Sequence, residues 1–303
     1  MTLKQENDTK SVFVAIVGRP NVGKSSLLNA LIGEKLAIVT SKPQTTRTKI
    51  TGILTKNATQ YVFLDTPGIH QPRTRLGKHM VKAVEESVGD GDVSLMVFEP
   101  YGSLTEAEQS LVEELRRSKA PAIAVVNKTD CLKKPQDLTT RIDFLKGLGV
   151  FQIVTGVCAA NGDGVAQLLE LCDQYAVLGP HYFPDDSYTD LPEKAIVAEL
   201  VREKLLLFLR DELPHGTAVE VERFKEREDG KLTDIEVTIF CEKKSHKGMV
   251  IGKGGAMLKK IATAARQDCE DFLGQKVNLQ CWVKVKTDWR DNEFYLKNFG
   301  FSK

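Results

Sequence analysis

One eight-residue segment constrains the fold of this chain more than any other part of the sequence. Residues 18–25 read GRPNVGKS, fit the pattern GxxxxGK[ST], and follow the β-branched apolar run SVFVAIV at residues 11–17. A stretch with helical character, residues 25–32, comes next. A strand, a glycine-rich turn and a helix in this order surround a phosphate with backbone N–H groups. The segment therefore predicts an α/β domain with a phosphate-binding loop.

The rest of the first half alternates between strand-like and helix-like segments. Apolar runs of strand length cover residues 60–64, 93–98, 122–126 and 152–157, and helix-length segments cover residues 76–87, 104–118 and 165–176. Strands that alternate with helices predict βαβ units, a mostly parallel sheet and helices on both of its faces.

The predicted loop has the chemistry to hold a nucleoside triphosphate. Lys24 supplies a positive charge for the β- and γ-phosphates, and the Ser25 hydroxyl is a ligand for Mg²⁺. The nucleotide-binding residues predicted here are Gly18, Arg19, Pro20, Asn21, Val22, Gly23, Lys24, Ser25 and Ser26.

A second segment of this site, Asp65, Thr66, Pro67 and Gly68, ends the run YVFLDTPG. An aspartate at the end of a strand beside a phosphate loop can hold Mg²⁺, usually through water. The backbone N–H of Gly68 is placed to meet the γ-phosphate.

Two further segments point to guanine as the base. The segment Asn127, Lys128, Thr129 and Asp130 follows an apolar run of strand length. The carboxylate of Asp130 can accept hydrogen bonds from the ring N–H and the amine of guanine. Adenine lacks this donor pair, so a site built around the carboxylate rejects it. Cys158, Ala159 and Ala160 follow the last strand-like run and would present a backbone N–H to the guanine carbonyl.

The order and spacing of these segments resemble the translation-factor-like branch of small GTPases. That branch usually carries serine where Cys158 stands. A thiol donates more weakly than a hydroxyl, so the side-chain contact stays open, while the backbone contact from Ala159 is kept. The resemblance also identifies residues 42–47, KPQTTR, as the first switch loop. In that loop Thr46 is the expected Mg²⁺ ligand, and Thr45 is the alternative. A plain surface loop rich in Thr and Ser is the other interpretation.

The sequence predicts slow hydrolysis. Ras-like enzymes orient the attacking water with a glutamine, where this chain has Ile69, whose aliphatic side chain cannot polarise water. Family resemblance implies a monovalent cation, K⁺, held by Asn21. The residues predicted to assist hydrolysis are Lys24, Asn21, Thr46 and Gly68.

The second half has a different order of elements. Residues 179–193 contain three prolines and read as a linker, so we predict a first domain at 1–178, a linker at 179–193 and a second domain at 194–303. The second domain reads α-β-β-α-α-β, with the glycine loop GKGG at residues 252–255 before a helix. This order is that of the type II KH fold, an α+β domain, and a GxxG loop flanked by basic residues clamps a single-stranded nucleic-acid backbone.

Charge supports an RNA-binding surface in this half. The whole chain has a net charge of +1, yet residues 241–290 hold 11 Lys and Arg against 5 Asp and Glu. A basic face on a near-neutral protein indicates phosphate partners, although a solvated lysine face is the simpler alternative. Trp282 is predicted in the core, and Trp289 is left open. The predicted RNA-binding residues are Lys247, Gly248, Ile251, Gly252, Lys253, Gly254, Gly255, Lys259, Lys260, Lys284 and Lys286.

Composition restricts the cellular setting. No apolar stretch is long enough to span a membrane, and residues 1–10 lack the apolar core of a signal peptide. The six scattered cysteines contain no CxxC pair, which indicates free thiols in a reducing compartment. We therefore expect a cytoplasmic protein. We also expect a monomer with no obligate protein partner.

Along nearly its whole length the sequence resembles the Era family of bacterial GTPases. The resemblance is carried by GRPNVGKSS, PQTTR, FLDTPGIH, NKTD, FPDD, VREKLL, VIGKGG and WVKVK. It implies GTP or GDP with Mg²⁺ as ligands, binding to the 3′ region of small-subunit ribosomal RNA, and assistance to small-subunit assembly, in which the GTP state is coupled to RNA binding. It also implies peripheral attachment to the cytoplasmic face of the inner membrane, which only the basic surface could support.

Two other functions compete with this interpretation. A membrane-recruited signalling GTPase could use the KH fold to bind proteins, but it would not need residues 252–255 with their lysines. The chain could also be an ATPase, but Asp130 argues against this because adenine lacks the donor pair that its carboxylate would accept.

Overall fold

The computed structural model describes residues 9–68, 74–118, 120–210, 213–228 and 230–301. The chain divides into two compact units. The second unit comprises Ile38–Thr45, Pro72–His79 and Leu191–Lys303, and the first comprises the remainder. The change from the first unit to the second in the later part of the chain thus falls inside the predicted linker. Ile69, on which the expectation of slow hydrolysis depends, lies outside the described residues.

The elements up to residue 178 are, in chain order, β1 (Lys10–Val17), α1 (Lys24–Ile32), β2 (Ile50–Lys56), β3 (Thr59–Asp65), α2 (Arg75–Asp90), β4 (Val93–Phe98), α3 (Glu106–Ser118), β5 (Ala122–Val126), α4 (Pro135–Lys146), β6 (Ile153–Gly156), α5 (Val165–Asp173) and β7 (Val177–Leu178).

The sheet of the first unit has the order β2-β3-β1-β4-β5-β6. Strands β3, β1, β4, β5 and β6 are parallel to one another. The residues of β3, β4 and β5 are buried throughout, which explains why these strands are nearly continuous apolar runs rather than alternating ones. On one face, Ala15 and Val17 pack in a cluster with Val84 of α2, Leu111 of α3 and Leu145 of α4. The predicted mostly parallel sheet is confirmed.

Two strands run antiparallel to their neighbours. Strand β2, which the sequence did not predict, pairs with β3 in a hairpin closed by Asn57 and Ala58, and Asn57 has the positive φ of 56° that a tight turn favours. Strand β7 pairs with the start of β1. The connection between β2 and β3 has only two residues, which is too short for a parallel crossover, so these two strands must pair antiparallel.

The segment predicted as a linker is hydrogen-bonded to the first unit over much of its length. Oε1 of Gln60 accepts the N–H groups of Tyr182 and Phe183 at 2.8 and 3.0 Å, and the N–H of Ile53 donates to the carbonyl of Tyr188 at 2.8 Å. Gln60 is fully buried, so its amide requires such partners. Residues 182–188 therefore form part of the first unit. The boundaries of the two domains and the linker stay a prediction.

The second unit contains α6 (Glu193–Phe208), β8 (Thr217–Glu226), β9 (Leu232–Cys241), α7 (Lys244–Ile251), α8 (Ala256–Leu273), β10 (Lys276–Val285) and α9 (Glu293–Asn298). The sheet has the order β10-β9-β8, with β9 antiparallel to β8 and parallel to β10. Alternate residues of β9, such as Ile235 and Val237, pack with Val197 and Val201 of α6 and Ile261 of α8. The predicted α-β-β-α-α-β order is confirmed, and the glycine loop lies between α7 and α8.

The structure corrects the prediction for Trp282 and assigns Trp289, which the sequence left open. Trp282 is 55% exposed, so its predicted core position is wrong. Its neighbours on β10, Cys281 and Val283, face the core, and residues alternate between the two faces of a strand. Trp289 is fully buried and donates from Nε1 to the carbonyl of Gly216 at 3.0 Å.

Candidate functional site

The predicted nucleotide segments meet at one edge of the first sheet. Strand β1 ends at Val17 before the phosphate loop, β3 ends at Asp65, β5 ends at Val126 before Asn127, and β6 ends two residues before Cys158. These four strands are parallel, so their carboxyl ends lie at the same edge, where open α/β sheets bind ligands.

Two glycines allow the segments to approach each other. A Cβ atom on Gly23, which has a φ of 96°, would lie 2.2 Å from Nδ2 of Asn127. A Cβ atom on Gly68 would lie 2.7 Å from Cα of Pro20. The phosphate loop therefore touches both the Asn127 and the Asp65–Gly68 segments, and neither glycine tolerates a side chain without a shift of the loop.

Lys24 lies buried beneath the phosphate loop. Its Nζ donates to the carbonyl oxygens of Gly18 and Arg19, both at 3.0 Å. Burial lowers the pKa of Lys24 to about 8, and the carboxylate of Asp65 partly opposes this shift. The ammonium group is thus held by the loop that it is predicted to serve.

Three oxygen-bearing side chains converge beside Lys24. Oγ of Ser25 donates to Oδ2 of Asp65 at 2.7 Å and lies 2.8 Å from Oγ1 of Thr46. Burial raises the pKa of the Asp65 carboxyl to about 6, while the charge of Lys24 and the hydroxyl of Ser25 lower it. Burial thus opposes ionisation of Asp65, and Lys24 and Ser25 favour it.

This cluster fits a small divalent cation. Oδ1 of Asp65 is buried and has no hydrogen-bond partner among the described residues. Two hydroxyls and a buried carboxylate form the hard oxygen set that Mg²⁺ prefers. Of the two threonines considered from the sequence, Thr46 and not Thr45 is the one in contact with Ser25.

The base-recognition segments are joined by Asn127, which is only 2% exposed. Its Nδ2 donates to the carbonyl of Val22 at 2.9 Å, and its Oδ1 accepts the N–H of Ala159 at 3.1 Å. Asn127 therefore holds the phosphate loop and the 158–160 segment together. Because Ala159 donates to Asn127, a guanine carbonyl would share this donor or take the N–H of Ala160.

Cys158 makes the side-chain contact that the sequence left open. Its Sγ donates to Oδ1 of Asp130 at 3.1 Å, within reach of a thiol hydrogen bond. Cys158 is buried and Asp130 is exposed. The thiol thus orients the carboxylate that is predicted to read guanine.

Sequence reasoning missed Glu99, which follows β4 and carries no motif. Its carboxylate accepts from Nζ of Lys128 at 2.7 Å and pairs with Arg19. Burial by itself raises the pKa of Glu99, but Lys128 and Arg19 lower it below its usual value. Nζ of Lys128 also donates to the carbonyl of Asn21 at 2.6 Å. Glu99 therefore fixes two predicted nucleotide residues.

The glycine loop of the second unit has the backbone that only glycine adopts readily. Gly252, Gly254 and Gly255 have φ values of 74°, 59° and 81°, and a Cβ atom on Gly252 would lie 2.7 Å from Cβ of Met257. Lys253 is exposed between them.

The predicted RNA-binding lysines differ in their surroundings. Lys253, Lys259 and Lys260 are exposed and Lys247 is half-buried, and Nζ of Lys260 lies 4.3 Å from the centre of the Phe208 ring. Lys284 donates to Glu222 at 2.8 Å, and Lys286 lies over the ring of Tyr295. Among the predicted lysines, Lys253, Lys259 and Lys260 are therefore the exposed cations on the loop and the first two turns of α8.

None of the helices in the described ranges is both long and apolar enough to cross a membrane.

Comparison with known proteins gives the same two domains. A family model described as 50S ribosome-binding GTPase matches residues 13–128, and a KH domain model matches residues 212–290. A GTPase Era from Clostridioides difficile is 46% identical, and the match covers 97% of this chain and 99% of the relative. The chain belongs to the Era family of GTPases. The Era of Alkaliphilus oremlandii is 48% identical, with 96% and 99% covered.

Solved Era structures share the whole architecture. An Aquifex aeolicus Era variant bound to GDP and AlF4⁻ superposes with a TM-score of 0.93 at 34% identity, covering 97% of this chain and 100% of that one. An Era in complex with Mg²⁺, GDPNP and nucleotides 1506–1542 of 16S ribosomal RNA matches with the same TM-score, identity and coverage. The predicted family and fold are thus confirmed.

Proposed function

We propose that this GTPase binds the 3′ region of small-subunit ribosomal RNA in a GTP-dependent manner and assists assembly of the small ribosomal subunit. One observation carries the proposal: a single chain joins a nucleotide site to a KH domain with an exposed lysine in its glycine loop, over nearly the full length of its relatives. An Era of the same architecture has been crystallised with Mg²⁺, GDPNP and a 16S RNA fragment.

In this proposal the phosphate loop and Lys24 hold the β- and γ-phosphates, and Gly68 contributes a backbone N–H to the γ-phosphate. The Asp130 carboxylate accepts from guanine, and its hydrogen bond with Cys158 keeps it oriented. Ser25, Thr46 and Asp65 hold Mg²⁺, which supplies positive charge for the phosphates.

Hydrolysis is proposed to depend on a monovalent cation near Asn21. The backbone of Asn21 is in the left-handed region, with a φ of 65°, and its side chain lies at an exposed position of the phosphate loop. A cation there would supply charge to the transition state. We expect GTP hydrolysis to be about tenfold faster in KCl than in NaCl, a difference of about 1.4 kcal/mol in the activation barrier.

Asn21→Gly tests this role, because glycine accepts the positive φ without strain. The variant should hydrolyse GTP at the same rate in both salts, while Asn21→Asp, which retains a side-chain oxygen, should keep part of the K⁺ response. Equal rates of the unaltered protein in KCl and NaCl would remove the cation from the mechanism.

The RNA is proposed to bind at the glycine loop and its neighbouring lysines, with Lys253 contributing charge to the phosphate backbone. The GTP analogue should raise the affinity for a single-stranded 16S 3′-end RNA by about 5- to 150-fold over GDP. The physical reason is that the segments around Thr46 and Asp65 contact the γ-phosphate and reorder with it. Fluorescence anisotropy of labelled RNA with each nucleotide measures the difference.

Charge reversal in the loop provides the control. Lys253→Glu should weaken RNA binding and reduce its salt dependence by about one counterion, with GDP affinity in the absence of RNA unchanged. Lys276→Glu is the matched variant, since Lys276 is exposed beyond the opposite end of the 18-residue helix α8, and it should bind RNA nearly as well. Overlaid RNA-binding curves with GDP and with the analogue would contradict the coupling.

We further propose a cytoplasmic monomer that attaches peripherally to the inner membrane through its basic surface. Anionic lipid attracts clustered lysines, and the attraction falls with salt. The protein should sediment with anionic vesicles at low salt and not with neutral ones; equal sedimentation with both would argue against attachment by charge.

A further inference from the structure

Three consecutive charged residues of α6 are buried in the second unit. The exposed fractions of Arg202, Glu203 and Lys204 are 1%, 3% and 8%. Neighbouring residues of an α-helix point about 100° apart, so most of the helix circumference is covered here. Buried charges are costly unless each is paired and hydrogen-bonded. The partners of these side chains therefore indicate what this part of α6 holds.

Arg202 and Glu203 bind main-chain groups at the two ends of the 38–45 segment, which belongs to the same unit. Nη2 of Arg202 donates to the carbonyl oxygen of Thr45. Oε1 of Glu203 accepts the N–H of Val39 at 3.2 Å. The two contacts fix the path of the backbone rather than one particular side chain.

Neighbouring charges keep these two groups in place. Nε of Arg202 donates to the carboxylate of Glu199 at 2.8 Å. Nζ of Lys204 donates to Oε2 of Glu203 at 2.9 Å and to Oδ2 of Asp268 on α8 at 2.6 Å. The donor and the acceptor that hold the segment are thus oriented by α6 and α8.

Hydroxyl groups also form hydrogen bonds within the 38–45 segment. Oγ1 of Thr40 lies 2.7 Å from Oγ1 of Thr45, and Thr45 Oγ1 lies 2.7 Å from the carbonyl of Lys42. Nζ of Lys42 donates to the carbonyl of Leu209 just after α6. The segment and α6 therefore form one hydrogen-bonded assembly within the second unit.

We propose that Arg202 and Glu203 are positioning residues for Thr46. Thr46 follows Thr45 directly, and its Oγ1 lies 2.8 Å from Oγ of Ser25. Holding the Thr45 carbonyl fixes the start of the peptide unit that carries Thr46, so α6 sets how well the Thr46 hydroxyl can serve Mg²⁺ and the γ-phosphate. The inference rests on the proposed function, in which Thr46 is a Mg²⁺ ligand and α6 belongs to the RNA-binding domain.

The test is the preference for a triphosphate over a diphosphate, which is a binding measurement. Arg202→Met and Glu203→Met are made in the full chain, and affinities for GDP and for a non-hydrolysable GTP analogue are titrated with Mg²⁺. GDP has no γ-phosphate, so its affinity should change by less than about twofold, while affinity for the analogue should fall about tenfold. The matched control is Arg266→Met, which removes the ion pair of Arg266 with Glu270 within α8 and should leave the ratio unchanged.

Folding is monitored by the near-UV circular dichroism of the buried Trp289. Arg202→Lys keeps the positive charge in the cluster, and this variant replaces Arg202→Met in the titrations if the methionine variant does not fold. A lysine cannot reproduce the forked contacts to Thr45 and Glu199, so the triphosphate preference should still fall. A folded Arg202 variant with the wild-type ratio of the two affinities overturns the proposal, as does an equal loss of affinity for both nucleotides.

Adding the 16S 3′-end RNA separates this proposal from the proposed function. If RNA does not alter the analogue affinity of the unaltered protein, the proposed coupling fails, while the ratio measured without RNA still decides the role of Arg202. If RNA raises that affinity in the unaltered protein and equally in folded Arg202→Met, α6 does not carry the coupling to RNA, and the ratio measured without RNA again decides whether Arg202 positions Thr46.

Discussion

Replacing Asp130 with asparagine is expected to lower the affinity for GTP by about 10³-fold and to raise the affinity for xanthosine triphosphate. The carboxylate accepts two hydrogen bonds from guanine, whereas the asparagine amide presents one donor and one acceptor. Xanthine carries an oxygen where guanine carries an amine, so the altered pattern suits it. Titration of the variant with GTP, XTP and ATP measures the change, and the unaltered protein should reject ATP by a similar factor.

Asp130 also accepts a hydrogen bond from Cys158, so the substitution alters this contact as well and needs a matched control. Asp143→Asn makes the same chemical change at an exposed position of α4 and should leave the preference for GTP intact. An Asp130→Asn protein that still binds GTP more tightly than XTP would refute base recognition by this carboxylate.

Replacing Trp289 with alanine should destabilise the second unit by about 3–5 kcal/mol. The indole is fully buried, lies against the rings of Phe299 and Phe301, and donates to Gly216. Its removal leaves both a cavity and an unpaired buried carbonyl, and each is costly. Denaturant unfolding followed by hydrogen exchange of β8 and β9 peptides reports on this unit alone.

Trp282→Ala is the matched substitution, because it removes the same side chain from an exposed position of β10. It should change the stability of the unit by about 0.5 kcal/mol or less. GDP affinity should stay the same in both variants, since the nucleotide segments are built on the core of the first unit. Equal destabilisation by the two substitutions would contradict the assignment of Trp289 to the core.

The elements that the sequence predicted well are those whose signal is local. The phosphate loop, the strand before it and the helix after it lie within residues 10–32, and the glycine loop with α7 and α8 lies within residues 244–273. Glycines at fixed spacing and apolar runs report backbone conformation and burial directly. These signals predicted the fold class and the position of the nucleotide segments at strand ends, and the family followed from the resemblance carried by the motifs.

Other features depended on residues that are distant in the sequence, and only the tertiary structure decided them. Trp282 and Trp289 are the same residue type seven positions apart, and which one is buried depends on the sheet face and on the ring of Phe299. Asn127 joins the phosphate loop to Ala159 through contacts that span about a third of the chain.

The 38–45 segment shows the same limit most clearly. Its sequence indicates a loop rich in Thr and Ser, but its attachment to Arg202 and Glu203 links positions more than 150 residues apart. The sequence by itself determined which chemistry the chain carries, because each motif is a short run with its own backbone requirement. The tertiary structure decided which side chains orient those motifs, because pairing between distant charges and buried groups follows from packing and not from any local pattern.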